Sequence, residues 1–309
     1  MKKKMTFQRN NMRLCGAILS CYGLLMGVCF AAPTISKVVP AGAMRGSECE
    51  VLVMGTNLHE PQALFFEDGI VQQTKIEPVN DKQFKVVLKV PEDAPFGNHR
   101  FRVRTKKGLS FLRTFRVGPF PHVMEAESDS SQKKPPNNTA DDAQEIKFSK
   151  AGGLTVAGVV DREDVDWYKI VLAKDERLSV AVDGVRLNYT PFDPYIDIVD
   201  TKGFVVAASD DHPLMEQDAL LAFTASEPGE YFVRVRESAY GGSSACSYLL
   251  HVGRFPTPSV ALPPGANPGS EVVVKWLGDL SGGFESKINI PSTFRRASSE
   301  VSHMLSVHP

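Results

Sequence analysis

Residues 161–172 read DREDVDWYKIVL, which places four acids (Asp161, Glu163, Asp164, Asp166) and Arg162 directly before a run that alternates polar and apolar side chains. Carboxylates at this density do one of three things. They hold a hard cation such as calcium, which takes six to eight oxygens. They form an acid/base pair across a cleft. Or they accept hydrogen bonds from the backbone of a turn. Strand parity bears on the choice: if Tyr168, Ile170 and Leu172 face a core, Asp166 and Asp164 share their side at the mouth of the strand. A carboxylate aimed at a core edge must be hydrogen-bonded or paired, because a desolvated charge is costly. A turn N–H, Arg162 or a cation would each satisfy it. Nothing in the sequence sets one carboxyl in an apolar pocket and a second across a cleft, so a glycosidase pair is not expected.

Other reactive types are sparser. SDDHPLMEQD (209–218) gathers Asp210, Asp211, Glu216 and Asp218, read as a solvated loop with a weak surface calcium site as the alternative. The seven histidines are scattered, with no H-E-x-x-H pair, and no G-x-S-x-G elbow occurs. Beyond the N-terminal segment only Cys49 and Cys246 remain, in different parts of the chain. Two isolated cysteines read as small buried hydrophobes, with an interdomain bridge as the alternative. In HRFRVRTKK, Arg100, Arg102 and Arg104 lie on one strand face, with Lys106 and Lys107 in the next turn. Such a row is a solvated sheet face that discourages edge pairing, or else a contact for a polyanion or acidic polysaccharide. Only the inward-pointing Phe101 interleaves with it, so nucleic acid is not expected.

The elements that must position these groups are strands. Across 34–117, TISKVVP, CEVLVMG, ALFF, IVQQTKI, QFKVVLKV, HRFRVRT and LSFLRTFRV are separated by Gly, Asn, Asp and Pro punctuation, with no sustained helical period. Seven short strands over residues 33–121 fit an immunoglobulin-like sandwich. The polar, proline-containing stretch 122–145 reads as a linker. Strands return in a module at 146–254, where EYFVRVR puts Tyr231, Val233 and Val235 on one face and Arg234 and Arg236 on the other. One dry and one wet face are expected of its sheets.

The chain has 309 residues and a net charge of −1, so no whole-chain attraction to nucleic acid or an anionic membrane is expected. Residues 33–121 are mildly basic and 122–254 acidic. Residues 1–32 run from Lys2, Lys3 and Lys4 through an apolar stretch to Ala31 and Ala32, the order of a cleaved secretory signal. The expected location is therefore extracytoplasmic, with no membrane contact after cleavage. PAGAMRGSECEVLVMG (40–55) aligns without a gap over PPGANPGSEVVVKWLG (263–278), so a second copy of the first module begins at 255. It reads as incomplete over 255–292, followed by a disordered tail at 293–309. Half a sandwich leaves an apolar face uncovered, and a fragment of a longer protein or a poorly ordered remnant is expected.

DVDWYKIVLAKDERLSVAV, DPYIDIVDTKGFVVAASDD, DALLAFTASEPGEYFVRVRESAYGG and SYLLHV together resemble the bacterial pre-peptidase C-terminal domain. The resemblance implies a small β-sandwich with an accessory or binding role. PTISKVVPAGAMRGSECEVLVMGTNL resembles the opening of an IPT/TIG-type immunoglobulin-like domain. Calcium-binding relatives of the first family use an E-x-E-x-N-D segment and a D-x-x-D pair. The pair falls on Glu163 and Asp166, and the leading segment on Lys133, Pro135, Asn137 and Asn138, where both glutamates are missing. The resemblance thus implies Glu163, Asp166, Asn137 and Asn138 as calcium ligands, with Asp166 as a hydrogen-bonded strand-start residue the alternative.

The expectation is an all-β chain of tandem β-sandwiches, secreted and non-catalytic, contacting an extracellular polymer or protein. The alternative is a set of accessory modules of a secreted peptidase or other hydrolase whose catalytic domain is not in this chain. A self-contained enzyme is the third and weakest fit.

Overall fold

Alternation at single-residue period produces strands throughout the computed structural model, which describes residues 31–126, 137–148, 152–290 and 292. Residues 1–30 of the expected signal at 1–32, and the tail at 293–309, lie outside the described residues. The first module holds β1 (Thr34–Val39), β2 (Gly42–Met44), β3 (Glu48–Thr56), β4 (Pro61–Phe66), β5 (Gln72–Asn80), β6 (Gln83–Lys89), β7 (Gly97–Thr105), β8 (Gly108–Leu109) and β9 (Arg113–Gly118). One sheet runs β1-β3-β6-β5; the other runs β2-β9-β7-β4, with β8 added to β7. In β6, Phe84, Val86 and Leu88 point inward while Lys85 and Lys89 face water. They meet Phe66, Phe101 and Phe115 of the facing sheet in one apolar core.

The second module holds β10 (His122–Met124), β11 (Gln144–Glu145), β12 (Gly153–Val159), β13 (Asp166–Leu172), β14 (Arg177–Asp183), β15 (Pro194–Asp200), β16 (Val205–Ser209), β17 (Leu220–Thr224), β18 (Gly229–Glu237) and β19 (Ser247–Gly253). Its five-stranded sheets are ordered β10-β12-β19-β14-β17 and β11-β13-β18-β15-β16. A 3-10 turn, Val185–Leu187, is the single helical element among the described residues. The stretch read as a linker contributes β10 and β11, which pair in parallel with β12 and β13. Each is three residues or fewer, too short for periodicity to reveal.

The two sheets differ in how they meet solvent. In β13, Asp166, Tyr168, Ile170 and Leu172 are buried while Trp167, Lys169 and Val171 are not, which is the expected alternation. The other sheet departs from it: all seven residues of β19 are buried. Its outer face is covered by neighbouring modules, and the described residues from Pro33 onward form one compact unit. Ala41 of the first module packs with Ala157, Leu187 and Leu249. Phe120 lies on the same face over Gly153, where a Cβ would come within 2.7 Å of its ring, so only glycine admits this packing.

The third module is a sheet of β20 (Val260–Leu262), β21 (Glu271–Leu277) and β22 (Phe284–Asn289). The repeat seen in sequence is repeated in geometry. Gly46 and Gly269 take positive φ of 74° and 76°. The Ser47 and Ser270 hydroxyls each donate to the carbonyl three residues earlier at 2.6 Å. The apolar face expected to stay uncovered is instead covered by the second module and the segments that flank it: Val274 and Trp276 are buried against Ala181, Met215 and Leu220, with Phe120 and Phe255. Arg177 clamps the contact with a bidentate bond to Asp279, at 2.8 and 2.6 Å. Docking on a sheet face thus does the work of a second sheet.

Candidate functional site

The acid turn resolves into two layers. Asp161 and Asp164 serve the turn itself: Asp161 Oδ1 accepts from Arg162 N at 2.8 Å, and Asp164 Oδ1 from Val165 N at 3.0 Å. Glu163 holds the turn at φ +60°, with its side chain 78% exposed. Asp166 begins β13 and is 1% exposed, on the core side that strand parity indicates.

Beneath the turn, Tyr248 donates to Asp166 Oδ2 at 2.8 Å and is itself hydrogen-bonded to Tyr168. Tyr248 has room because its cross-strand neighbour is Gly158, where a Cβ would lie 2.3 Å from the ring. Glu125, directly after β10, accepts from Val159 N at 2.9 Å and adjoins the Asp166 carboxyl, so that ionisation of either acid disfavours that of the other. Asp166 Oδ1 is buried with no N–H or O–H donor of its own. Two carboxyl groups in this contact share a proton, since two carboxylates have only acceptors. Burial, then the hydrogen bond to Glu125, pushes Asp166 up to about 11. Burial likewise raises Glu125, and both tyrosines sit well above their ordinary range and stay protonated donors.

Of the residues implied as calcium ligands, Asn137, Asn138 and Glu163 line one cavity of about 450 Å³, with Glu125, Asp161 and Asp164. Asp166 lies beneath the wall of that cavity rather than on it. The Asn137 carbonyl accepts from Trp167 N at 2.7 Å, so the residue also fixes the start of β13. Among the described residues no three His, Cys, Asp or Glu side chains gather closely enough to hold a metal. Lys133 and Pro135 lie outside the described residues. Glu125 escaped the sequence reading because it fell in the presumed linker; the apolar HVM before it was the available signal.

A second group of charges lies where the first two modules meet, buried except for an 11% exposure at Arg186. Arg116 Nε of β9 lies 3.0 Å from Asp183 Oδ2 of β14, with side-chain exposures of 2% and 1%. The Nε–H is not aligned for a hydrogen bond, so the contact is ionic. Arg186 also pairs with Asp183 and reaches Asp218 at 2.6 Å. His251 Nε2 is 3.0 Å from Asp183 Oδ2, and its Nδ1 is 2.9 Å from Thr155 Oγ1. Hydroxyl, imidazole and carboxylate follow the order of a nucleophilic triad. Access argues against that chemistry, because Thr155 and His251 are 0% exposed. Burial alone would raise the Asp183 carboxyl, but Arg116, then Arg186 and His251, hold it well below the ordinary carboxylate range. The group acts as an ionic latch, reinforced by hydrogen bonds from Asn98 Nδ2 to Arg186 O at 2.9 Å and from Tyr189 OH to Thr114 O at 2.6 Å.

The remaining candidates also find places. Asp218, read as part of a solvated acidic loop, is buried and accepts from Gly184 N and Val185 N at 2.9 and 2.8 Å, so it is spent on the 3-10 turn; Asp210, Asp211 and Glu216 are exposed. Cys49 and Cys246 are free thiols, and burial pushes Cys49 up to about 12. The arginine row sits on β7, between β9 and β4, so it does not guard a sheet edge.

No curated protein matches this chain. Among solved structures, PliG, a periplasmic inhibitor of g-type lysozyme from Aeromonas hydrophila, is 14% identical, with 36% of this chain and 94% of that chain covered and a TM-score of 0.29. The pre-peptidase C-terminal domain of Bacillus anthracis collagenase is 18% identical over 36% of this chain and 93% of that chain, with a TM-score of 0.28. SGBP-B from the Bacteroides ovatus mixed-linkage glucan utilization locus is 10% identical over 72% of this chain and 74% of that chain, with a TM-score of 0.25. The family profile of the bacterial pre-peptidase C-terminal domain matches residues 164–237, from the acid turn to the end of β18.

Proposed function

We propose that this chain is a secreted, non-catalytic array of β-sandwich modules that contacts extracellular polymers or proteins. The observation that carries this reading is the sealing of its reactive groups. Thr155, His251 and Asp183 are closed beneath the first module, and Asp166 is buried with its proton shared. Catalysis needs such groups within reach of a substrate, whereas binding needs only surface. Secretion rests on the basic, apolar and small-residue order of positions 1–32. The match at 164–237 equally supports the second reading, in which these are accessory modules of a secreted peptidase or other hydrolase with its catalytic domain outside this chain. The first module is taken as IPT/TIG-type on its opening residues. The test is a screen of the full chain against peptidase, glycosidase and esterase substrates. No turnover above buffer is expected; turnover abolished by His251→Ala would sink the proposal.

Calcium is part of the same proposal, favoured by one observation: the Asp166 carboxyl adjoins that of Glu125, at a cavity that Asn137, Asn138 and Glu163 also line. Glu125, Asp166 and Asn137 would hold the ion from below, with Asn138 and Glu163 at the rim and water completing six to eight oxygens. The shared proton has to leave first, so millimolar calcium should raise the melting temperature more at pH 8 than at pH 5. Equal melting curves in calcium and chelator at pH 8 would remove calcium from the proposal.

A further inference from the structure

Sheet pairing builds an aromatic and basic face that no single strand carries. On β7, Phe101, Val103 and Thr105 point into the core, which turns Arg102 and Arg104 outward. Phe65 of β4 lies across from Arg102, and Ala63 across from Arg104. On the other side Leu109 lies across from Arg104. Past β8, Ser110 N donates to Val103 O at 2.9 Å while the Val103 N–H turns to Ser110 Oγ, so regular pairing stops there, and the exposed Phe111 follows directly on the Ser110 carbonyl that Arg102 holds. The pairing aligns Phe65 with Arg102 and sets Ala63, Arg104 and Leu109 in one row, with Phe111 next in the chain after the residue that Arg102 bonds. Phe111 is 75% exposed, Phe65 48% and Leu109 44%. Lys106 and Lys107 extend the face at the hairpin turn.

The charge of the face is positive. Arg102, Arg104, Lys106 and Lys107 stand against Glu67 and Glu60, which pair with Arg102 at 3.7 Å and Lys106 at 2.7 Å. Arg102 is also held by a bond from its Nη1 to Ser110 O at 3.0 Å, which aims the guanidinium before any ligand arrives. Phenyl rings flanking a fixed guanidinium suit a ligand that offers apolar C–H faces and carboxylates side by side. A uronic acid offers both on every ring. Arginine forks recognise carboxylates bidentately, and ring faces take the sugar's C–H surface. An anionic bilayer fits less well, because Glu60 and Glu67 lie within the face and would meet its headgroups.

Resting on the polymer-contacting function above, we propose that the outer face of β4, β7 and β8 binds a linear acidic polysaccharide of the polyuronate class. The test measures binding of the full chain to polygalacturonate by affinity electrophoresis, with neutral dextran and phosphatidylglycerol vesicles as parallel arms. Polygalacturonate should slow the protein and dextran should not, and the effect should weaken on the order of tenfold between 50 and 300 mM salt. Arg102→Ala with Arg104→Ala, and separately Phe111→Ser, should each weaken binding roughly tenfold with an unchanged melting temperature. No binding to polygalacturonate, equal binding by both variants, or binding to vesicles alone would overturn the inference. Those outcomes leave the non-catalytic function standing, since the turnover screen tests it independently.

Discussion

Asp183→Ala is expected to lower stability by ~3–5 kcal/mol, the largest effect of any single substitution outside the apolar cores. It would strand Arg116, 2% exposed, without its carboxylate and leave Arg186 with Asp218 alone. Arg116→Met should cost less, because Asp183 keeps Arg186 and His251. The module boundary supplies a second readout. The two tryptophans, Trp167 and Trp276, lie in the second and third modules, so fluorescence is blind to the first. Urea unfolding followed by fluorescence and by far-ultraviolet circular dichroism should coincide in the parent and separate in Asp183→Ala as the first module loosens alone. A loss below about 1 kcal/mol with coincident transitions would mean that apolar contact, not the latch, joins the modules. The latch should also fail in acid. A depressed carboxyl contributes stability above its unfolded value near pH 4 and loses that contribution as pH falls through its lower folded value.

Asp166→Asn is expected to have the next largest effect, with opposite sign at neutral pH. In the folded chain the Asp166 proton persists up to about 11, whereas the unfolded chain releases it near pH 4. Between these values the unfolded state binds fewer protons, so stability falls as pH rises, by up to ~1.4 kcal/mol per pH unit for one proton. Asparagine has no proton to lose, and its amide can donate to Glu125. The variant should therefore melt higher than the parent at pH 8, and its melting temperature should change less between pH 5 and pH 8. A parent whose stability rises over that range would show that the pair is ionised in the folded state. Asp164, Tyr168 and Tyr248 are the other titratable groups facing Asp166, and none is cationic.

Both effects arise at places that strand patterns describe unevenly. Parity alone placed Asp166 with Tyr168, Ile170 and Leu172, because a half-buried antiparallel strand repeats every two residues. The same rule misjudged β19. Its SYLLHV sets Leu249 and Leu250 side by side, and that break in alternation was the visible sign of burial on both faces. Glu125 was out of reach for another reason: β10 is three residues long and pairs in parallel with β12 across a long connection. The basic face was half visible. Its arginines share one strand, whereas Phe65 and Leu109 reach them only through pairing with β4 and β8.

Sequence by itself determined the all-β class, the repeat at 40–55 and 263–278, and which side of each well-alternating strand is dry. These are local properties, set by side-chain period and turn chemistry within a few residues. The tertiary structure alone decided the rest. Asp183, Arg186, Asp218 and His251 come from separate elements that the fold of the second module brings together, and Arg116 joins them only because the first module docks on the outer face of the β12–β19–β14 sheet. Whether a polar side chain on that face is solvated or sealed depends on which surface covers it, and no local pattern encodes that contact.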